Sequence, residues 1–150
     1  MTQSWETEKL RCYAKGSGAD MGCGFNKIGH FGIDIAPLPG VDLICDMARV
    51  PLPDASLDYI VSCHSLEHCS DTIKVLREWF RLMKSGATLA IFVPDGDKKL
   101  AGILGDTSGT HRQLFTTTTL VKFLAYCGFL VVETESRRTS LFVLAHKPPA

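Results

Sequence analysis

Asp20-Met21-Gly22-Cys23-Gly24-Phe25-Asn26 is a glycine turn set directly behind a short apolar strand candidate at 19–21. Glycine lets the chain turn tightly and lets a ligand approach the backbone with no Cβ in the way. A dinucleotide fingerprint, Gly-x-Gly-x-x-Gly, would need a glycine at 27, where Lys27 stands. The next strand follows too soon for a helix that could cradle a pyrophosphate. Asp20, just ahead of the glycines, would repel a pyrophosphate and suits a ligand with a cationic end.

Outward from this turn, short apolar segments alternate with helical patterns, the signature of an α/β sheet. Further strands are predicted at 31–35, 41–45, 57–63, 87–93, 129–133 and 140–145, rich in Val, Ile, Leu or Phe. The expected fold is a single Rossmann-like domain over 1–150, with a mostly parallel sheet of seven strands. The last strand is antiparallel, reached through a hairpin turn at 135–138. A helix is predicted over 71–84, where Ile73, Leu76, Phe80 and Met83 share one face. Trp79 lies near that face and reads as core. Ser70 or Asp71 caps this helix and Gly86 follows its end. A second helix over 118–126 starts at threonine caps and stops before Gly128, and residues 4–13 are read as an outer helix. Only residues 25–30 and 36–40 join the first three strands. A full crossover needs about a dozen residues, so the first two crossover helices are reduced to a turn or lost.

Composition bounds the function. The 150 residues carry 16 Lys plus Arg against 16 Asp plus Glu, so a neutral chain lacks the basic footprint that makes nucleic acid a partner. A hydrophobic share of 45% argues against global disorder. Six cysteines without any Cys-x-x-Cys pair read as reduced and mostly buried. Apolar runs are too short to span a bilayer, and residues 1–15 do not resemble a signal peptide, so a cytoplasmic location is expected.

Four stretches, in order, resemble the class I S-adenosylmethionine (SAM)-dependent methyltransferases of the type 11 group. They are Asp20-Met21-Gly22-Cys23-Gly24; Gly32-Ile33-Asp34-Ile35; Asp46-Met47 with Val50-Pro51-Leu52-Pro53; and Ser56-Leu57-Asp58-Tyr59-Ile60-Val61 through Leu66-Glu67-His68. The resemblance implies SAM as cofactor. It puts the backbone of Gly22 and Gly24 on the amino-acid portion, Asp34 on the ribose hydroxyls and Asp46 on the adenine amine. Met47 and Ile35 pack on the ring, and Cys63 or His64 lies beside the methionine portion. Asp20, Cys23 and Asn26 complete the expected wall, Asn26 standing where many relatives have a third glycine.

Methyl transfer to a hydroxyl also calls for a base, and His64, His68 and His111 are the candidates. His30 and His146 fall away from the expected pocket. The family itself requires no metal, but His64, Glu67 and His68 share a face if their turn is helical. That spacing is similar to the Glu-x-x-Glu-His metal motif of small-RNA 2′-O-methyltransferases and ubiquinone-pathway O-methyltransferases. His64 replaces the first Glu, and His111 would complete the set. Arg112 is a candidate for an anionic acceptor and Asp95 a further base candidate, while residues 97–110 read as mobile. The acceptor stays open, a small molecule or sugar among the choices, and an exposed sheet edge would allow a homo-oligomer. Two other readings stand beside the transferase: a module that binds SAM or S-adenosylhomocysteine (SAH) without turnover, and an NAD-dependent oxidoreductase.

Overall fold

Seven strands form one sheet in the computed structural model, which describes residues 4–100 and 111–149. In chain order the elements are α1 (Ser4–Arg11), β1 (Ala19–Met21), β2 (Gly32–Asp34), β3 (Leu43–Ile44) and β4 (Leu57–Cys63). A 3-10 turn (Leu66–His68), α2 (Thr72–Leu82), β5 (Met83–Pro94) and α3 (Gly96–Leu100) come next. α4 (Thr117–Tyr126), β6 (Leu130–Arg137) and β7 (Ser140–His146) end the chain.

The order across the sheet is β3-β2-β1-β4-β5-β7-β6. β1 to β5 pair in parallel, and β7 runs antiparallel to both β5 and β6. This is the sheet expected from the sequence, antiparallel last strand included. The chain order reverses at β1, which has β2 on one side and β4 on the other. In parallel sheets the crevice beyond such a reversal is where ligands bind. Residues 22–31 and 35–42 carry no helix, as the short connections require.

Three boundaries differ from expectation. α2 stops at Leu82 and the chain passes straight into β5, because Met83 already pairs with Leu57 of β4. β3 shrinks to two residues at the sheet edge. β6 runs on through Glu135, Ser136 and Arg137, paired with Phe142, Leu141 and Ser140. The hairpin therefore turns at Arg138, whose φ is 55. Polar residues are tolerated in β6 because it is the edge strand and stays largely exposed.

Side chains alternate between the two faces of β4 and β5. Ile60, Leu89 and Ile91 pack with Val75, Leu76, Trp79 and Leu82 of α2 and with Leu120 and Leu124 of α4. Tyr59, Val61, Ala90 and Phe92 face the other way and are covered by Leu10 of α1 and by Ile28. The N-terminal helix is thus half of that cover. Its Trp5 meets Phe92 edge-on at 5.2 Å, and its Lys9 Nζ lies 2.7 Å from Glu135 Oε1.

Candidate functional site

The site grows from strand ends. Gly22, immediately after β1, has φ +72, and a Cβ there would lie 2.2 Å from Ser65 Oγ. Ser65 follows β4 and its hydroxyl donates to the Gly22 carbonyl at 3.0 Å, so the two strand exits abut. Asp34 ends β2. Its Oδ2 accepts from the Gly24 amide at 2.9 Å and its Oδ1 from the Ala36 amide at 3.0 Å. The carboxylate therefore fixes the glycine turn and its own next turn, and each oxygen keeps a lone pair for a ligand.

Asp46, just after β3, is exposed, with Oδ1 accepting from Ala48 at 2.8 Å. α2 braces the loop that follows: the Trp79 indole donates to the Met47 carbonyl at 3.1 Å. Arg81 donates to the carbonyls of Val50 and Leu52, and Glu78 accepts from the Val50 amide.

These groups open on one pocket of about 590 Å³, a size suited to a small-molecule ligand. Gly22, Asp34, Ile35, Asp46, Met47 and His64 line it, together with Ser65, His68, Cys69, Asp71, Lys74 and Arg112. Ile35 is 71% exposed, an unusual setting for a large apolar side chain beside a cavity.

Other expected site residues lie elsewhere. Asn26 is exposed, and Cys23 is buried behind the turn; neither lines the pocket, nor do Gly24 and Cys63. Burial, with Asp20 and Asp34 nearby, pushes the Cys23 thiol up to about 11, so it stays protonated. All six cysteines are free.

Asp20 is buried, its Oδ2 accepting from the Ile28 amide at 2.7 Å while Oδ1 has no hydrogen-bond partner. Burial pushes this carboxyl up to about 7, against the pull of the Ile28 bond. A carboxyl raised by folding destabilises the fold over the window in which only the unfolded chain is ionised. Stability should therefore fall as pH rises from about 4 to about 7. Asp20→Asn keeps an acceptor for Ile28 and removes the charge. It should raise stability on the order of 2 kcal/mol at pH 8 and do little at pH 4, a difference that paired thermal melts would read.

His64 follows β4 with φ 52, a left-handed conformation rare outside glycine. Its Nε2 lies 2.6 Å from Glu6 Oε2 of α1, a carboxylate with no exposure. Burial lowers the His64 pKa, but the carboxylates of Glu6 and Glu67 outweigh it and raise it to about 9. Without a ligand, His64 is thus a cation at neutral pH rather than a proton acceptor.

Glu67, on the 3-10 turn, is 1% exposed, and neither carboxylate oxygen has a hydrogen-bond partner. Three imidazoles face its Oε2: His64 Nδ1 at 3.7 Å, His68 Nε2 at 3.9 Å and His111 Nε2 at 4.0 Å. The Arg112 and Gln113 amides donate to the Glu67 carbonyl at 2.8 and 3.0 Å, which pins the His111 segment to the turn. His64, Glu67 and His68, close in the sequence, are joined by the distant His111, the set that the spacing suggested. Asp95 is buried, bonded to the Ser136 hydroxyl and the Asp97 amide. Of the stretch expected to be mobile, 101–110 lies outside the described residues. Glu6 was not visible as a site residue in the sequence, and neither were Ser65 and Lys74.

The strand order, the crevice at β1 and β4, and the acids at two neighbouring strand ends define the class I SAM-dependent methyltransferase fold. Residues 32–91 match the family model described as Methyltransferase domain. An S-adenosylmethionine-dependent methyltransferase of Mycolicibacterium smegmatis is 28% identical over 89 residues, 59% of this chain and 35% of that protein. A demethylmenaquinone methyltransferase of Listeria welshimeri is 36% identical over 75 residues, 49% of this chain and 32% of that protein. The matches span about a third of the length of these curated relatives. Among solved structures, a SAM-dependent methyltransferase of Thermotoga maritima superposes with TM-score 0.77 at 17% identity, covering 95% of this chain and 87% of that one. At that identity the likeness is one of fold. No helix among the described residues is long and apolar enough to cross a membrane.

Proposed function

We propose that the chain binds SAM in this pocket and transfers its sulfonium methyl group to a small acceptor. The observation that carries the reading is the convergence of the glycine turn, Asp34 and Asp46 on one cavity beside the exposed Ile35. Asp34 accepts from the ribose diol with the lone pairs left over from Gly24 and Ala36. Asp46 accepts from the adenine amine, Ile35 and Met47 cover the ring, and the turn at Gly22 meets the amino-acid portion.

In the transfer, a lone pair on the acceptor attacks the methyl carbon in line as the carbon–sulfur bond breaks. That bond's electron pair returns to sulfur, leaving neutral SAH. Holding donor and acceptor in line supplies most of the acceleration. A hydroxyl acceptor also gives up a proton, for which His68 lines the pocket with the His111 ring against it at 4.9 Å. Lys74 and Arg112 in the lining favour an acceptor with negative charge, a small acid or an acidic sugar. The neutral chain speaks against nucleic acid, and six free thiols suit the reducing cytoplasm. The edge strand β6, with Leu130 and Val132 exposed, is the surface on which two copies would pair.

Calorimetric titration with SAH, with NAD as rival ligand, tests the reading. One micromolar site for SAH and no heat with NAD is the expected result. Folded protein that takes up neither would sink it. SAH binding without transfer to acids, sugars, amines or thiols would leave a binding module instead.

A further inference from the structure

We propose that Glu67, His68 and His111, with His64 facing them, form a binding site for a divalent transition-metal cation of the zinc type. The proposal does not depend on the methyl-donor reading. It starts from Glu67, a carboxylate 1% exposed with no hydrogen-bond partner at either oxygen. A buried carboxylate left in that state is costly, and the neighbourhood indicates what would relieve it. Donor atoms of Glu67, His68 and His111 all lie within 4.8 Å of one another. The three imidazole nitrogens stand 3.7, 3.9 and 4.0 Å from Glu67 Oε2, too far for hydrogen bonds. Ligand atoms around a tetrahedral zinc ion at ordinary bond lengths sit roughly 3.3 Å apart, so closing the set takes side-chain shifts on the order of 1 Å.

The surroundings are built to hold those donors. His111 is anchored through the Arg112 and Gln113 amides on the Glu67 carbonyl. The His64 Nε2 is engaged by the buried Glu6, which leaves Nδ1 as the nitrogen turned toward Glu67. A carboxylate behind an imidazole in this way is the usual second support of a metal-bound histidine. Imidazole nitrogens with one carboxylate select zinc, cobalt or manganese over magnesium. His64 and His68 also line the pocket, so the ion would be reached from it.

The test is cobalt binding to the full chain after chelator treatment, read by bound metal per chain and by visible absorption. One ion per chain, with absorption of low-coordinate Co2+ and no thiolate charge-transfer band, is expected. Glu67→Gln and His111→Ala should weaken binding at least 100-fold, and His30→Ala should leave it unchanged. Glu67→Gln should also melt no lower than the parent without metal, since the buried carboxylate oxygens make no hydrogen bond. If it does not fold, His111→Ala, altered on a loop, carries the test. No bound ion, or retention by His111→Ala, overturns the proposal. A thiolate band also does, by moving the ion to Glu6, Cys63 and His64, the other clustered set of donors.

Discussion

Asp34→Ala should weaken SAH binding by at least about 100-fold, the largest loss expected from a single change at the pocket. That factor corresponds to about 2.7 kcal/mol. Two effects add to give it. The ribose loses a charged acceptor, and hydrogen bonds to charged groups are worth about 1.5–3 kcal/mol each. The protein also loses the carboxylate that accepts from both the Gly24 and the Ala36 amides, so the glycine turn and the loop after β2 come free together. Asp34→Asn separates these effects. Its single carbonyl oxygen can retain one of the two backbone bonds, and the loss should be nearer tenfold, with little change in melting temperature. Calorimetry of the three proteins, paired with thermal melts, reads both. Unchanged SAH affinity in a folded Asp34→Ala chain would remove Asp34 from the cofactor site and leave it as a loop staple only.

Asp34 stands out in the sequence because its surroundings are local. A strand of four or five residues, an acid at its end and a glycine turn ten residues earlier are all visible in one short stretch. The lengths of the connections likewise forbade crossover helices, and none formed between β1 and β3. Trp79 read as core and is fully buried. What stayed hidden depends on partners distant in the chain. Glu6 sits 58 residues from His64, and nothing in the polar first helix marks it as the one acid with no exposure. The end of β6 read as a turn because Glu135 and Arg137 are charged. An edge strand accepts charges on its solvent side, and that edge position is a property of the whole sheet. The shared face of His64, Glu67 and His68 was expected from a helix. It arises instead from a single 3-10 turn preceded by a left-handed His64, which brings the same side chains within reach by a different backbone path.

Trp79→Ala should cost about 3–5 kcal/mol, as truncation of a fully buried tryptophan does. Domains of this size are stable by only about 5–15 kcal/mol, so the variant should melt roughly 10 °C lower or fail to fold. The indole is more than filling. It sits on α2 between the sheet and the pocket loop, and its N–H is the donor to the Met47 carbonyl at 3.1 Å. Trp79→Phe keeps most of the apolar volume and deletes that donor. It leaves a part-buried carbonyl without its partner, a loss on the order of 1 kcal/mol. Met47 lines the pocket, so its loop should loosen and SAH affinity should fall several-fold more than stability alone explains. The measurement is SAH affinity against melting temperature in Trp79→Phe, compared with Leu124→Ala, a core truncation in α4 away from the pocket. If both variants lose affinity only in proportion to their stability, the indole is packing alone. A selective loss in Trp79→Phe makes α2 the element that carries core order into the cofactor site.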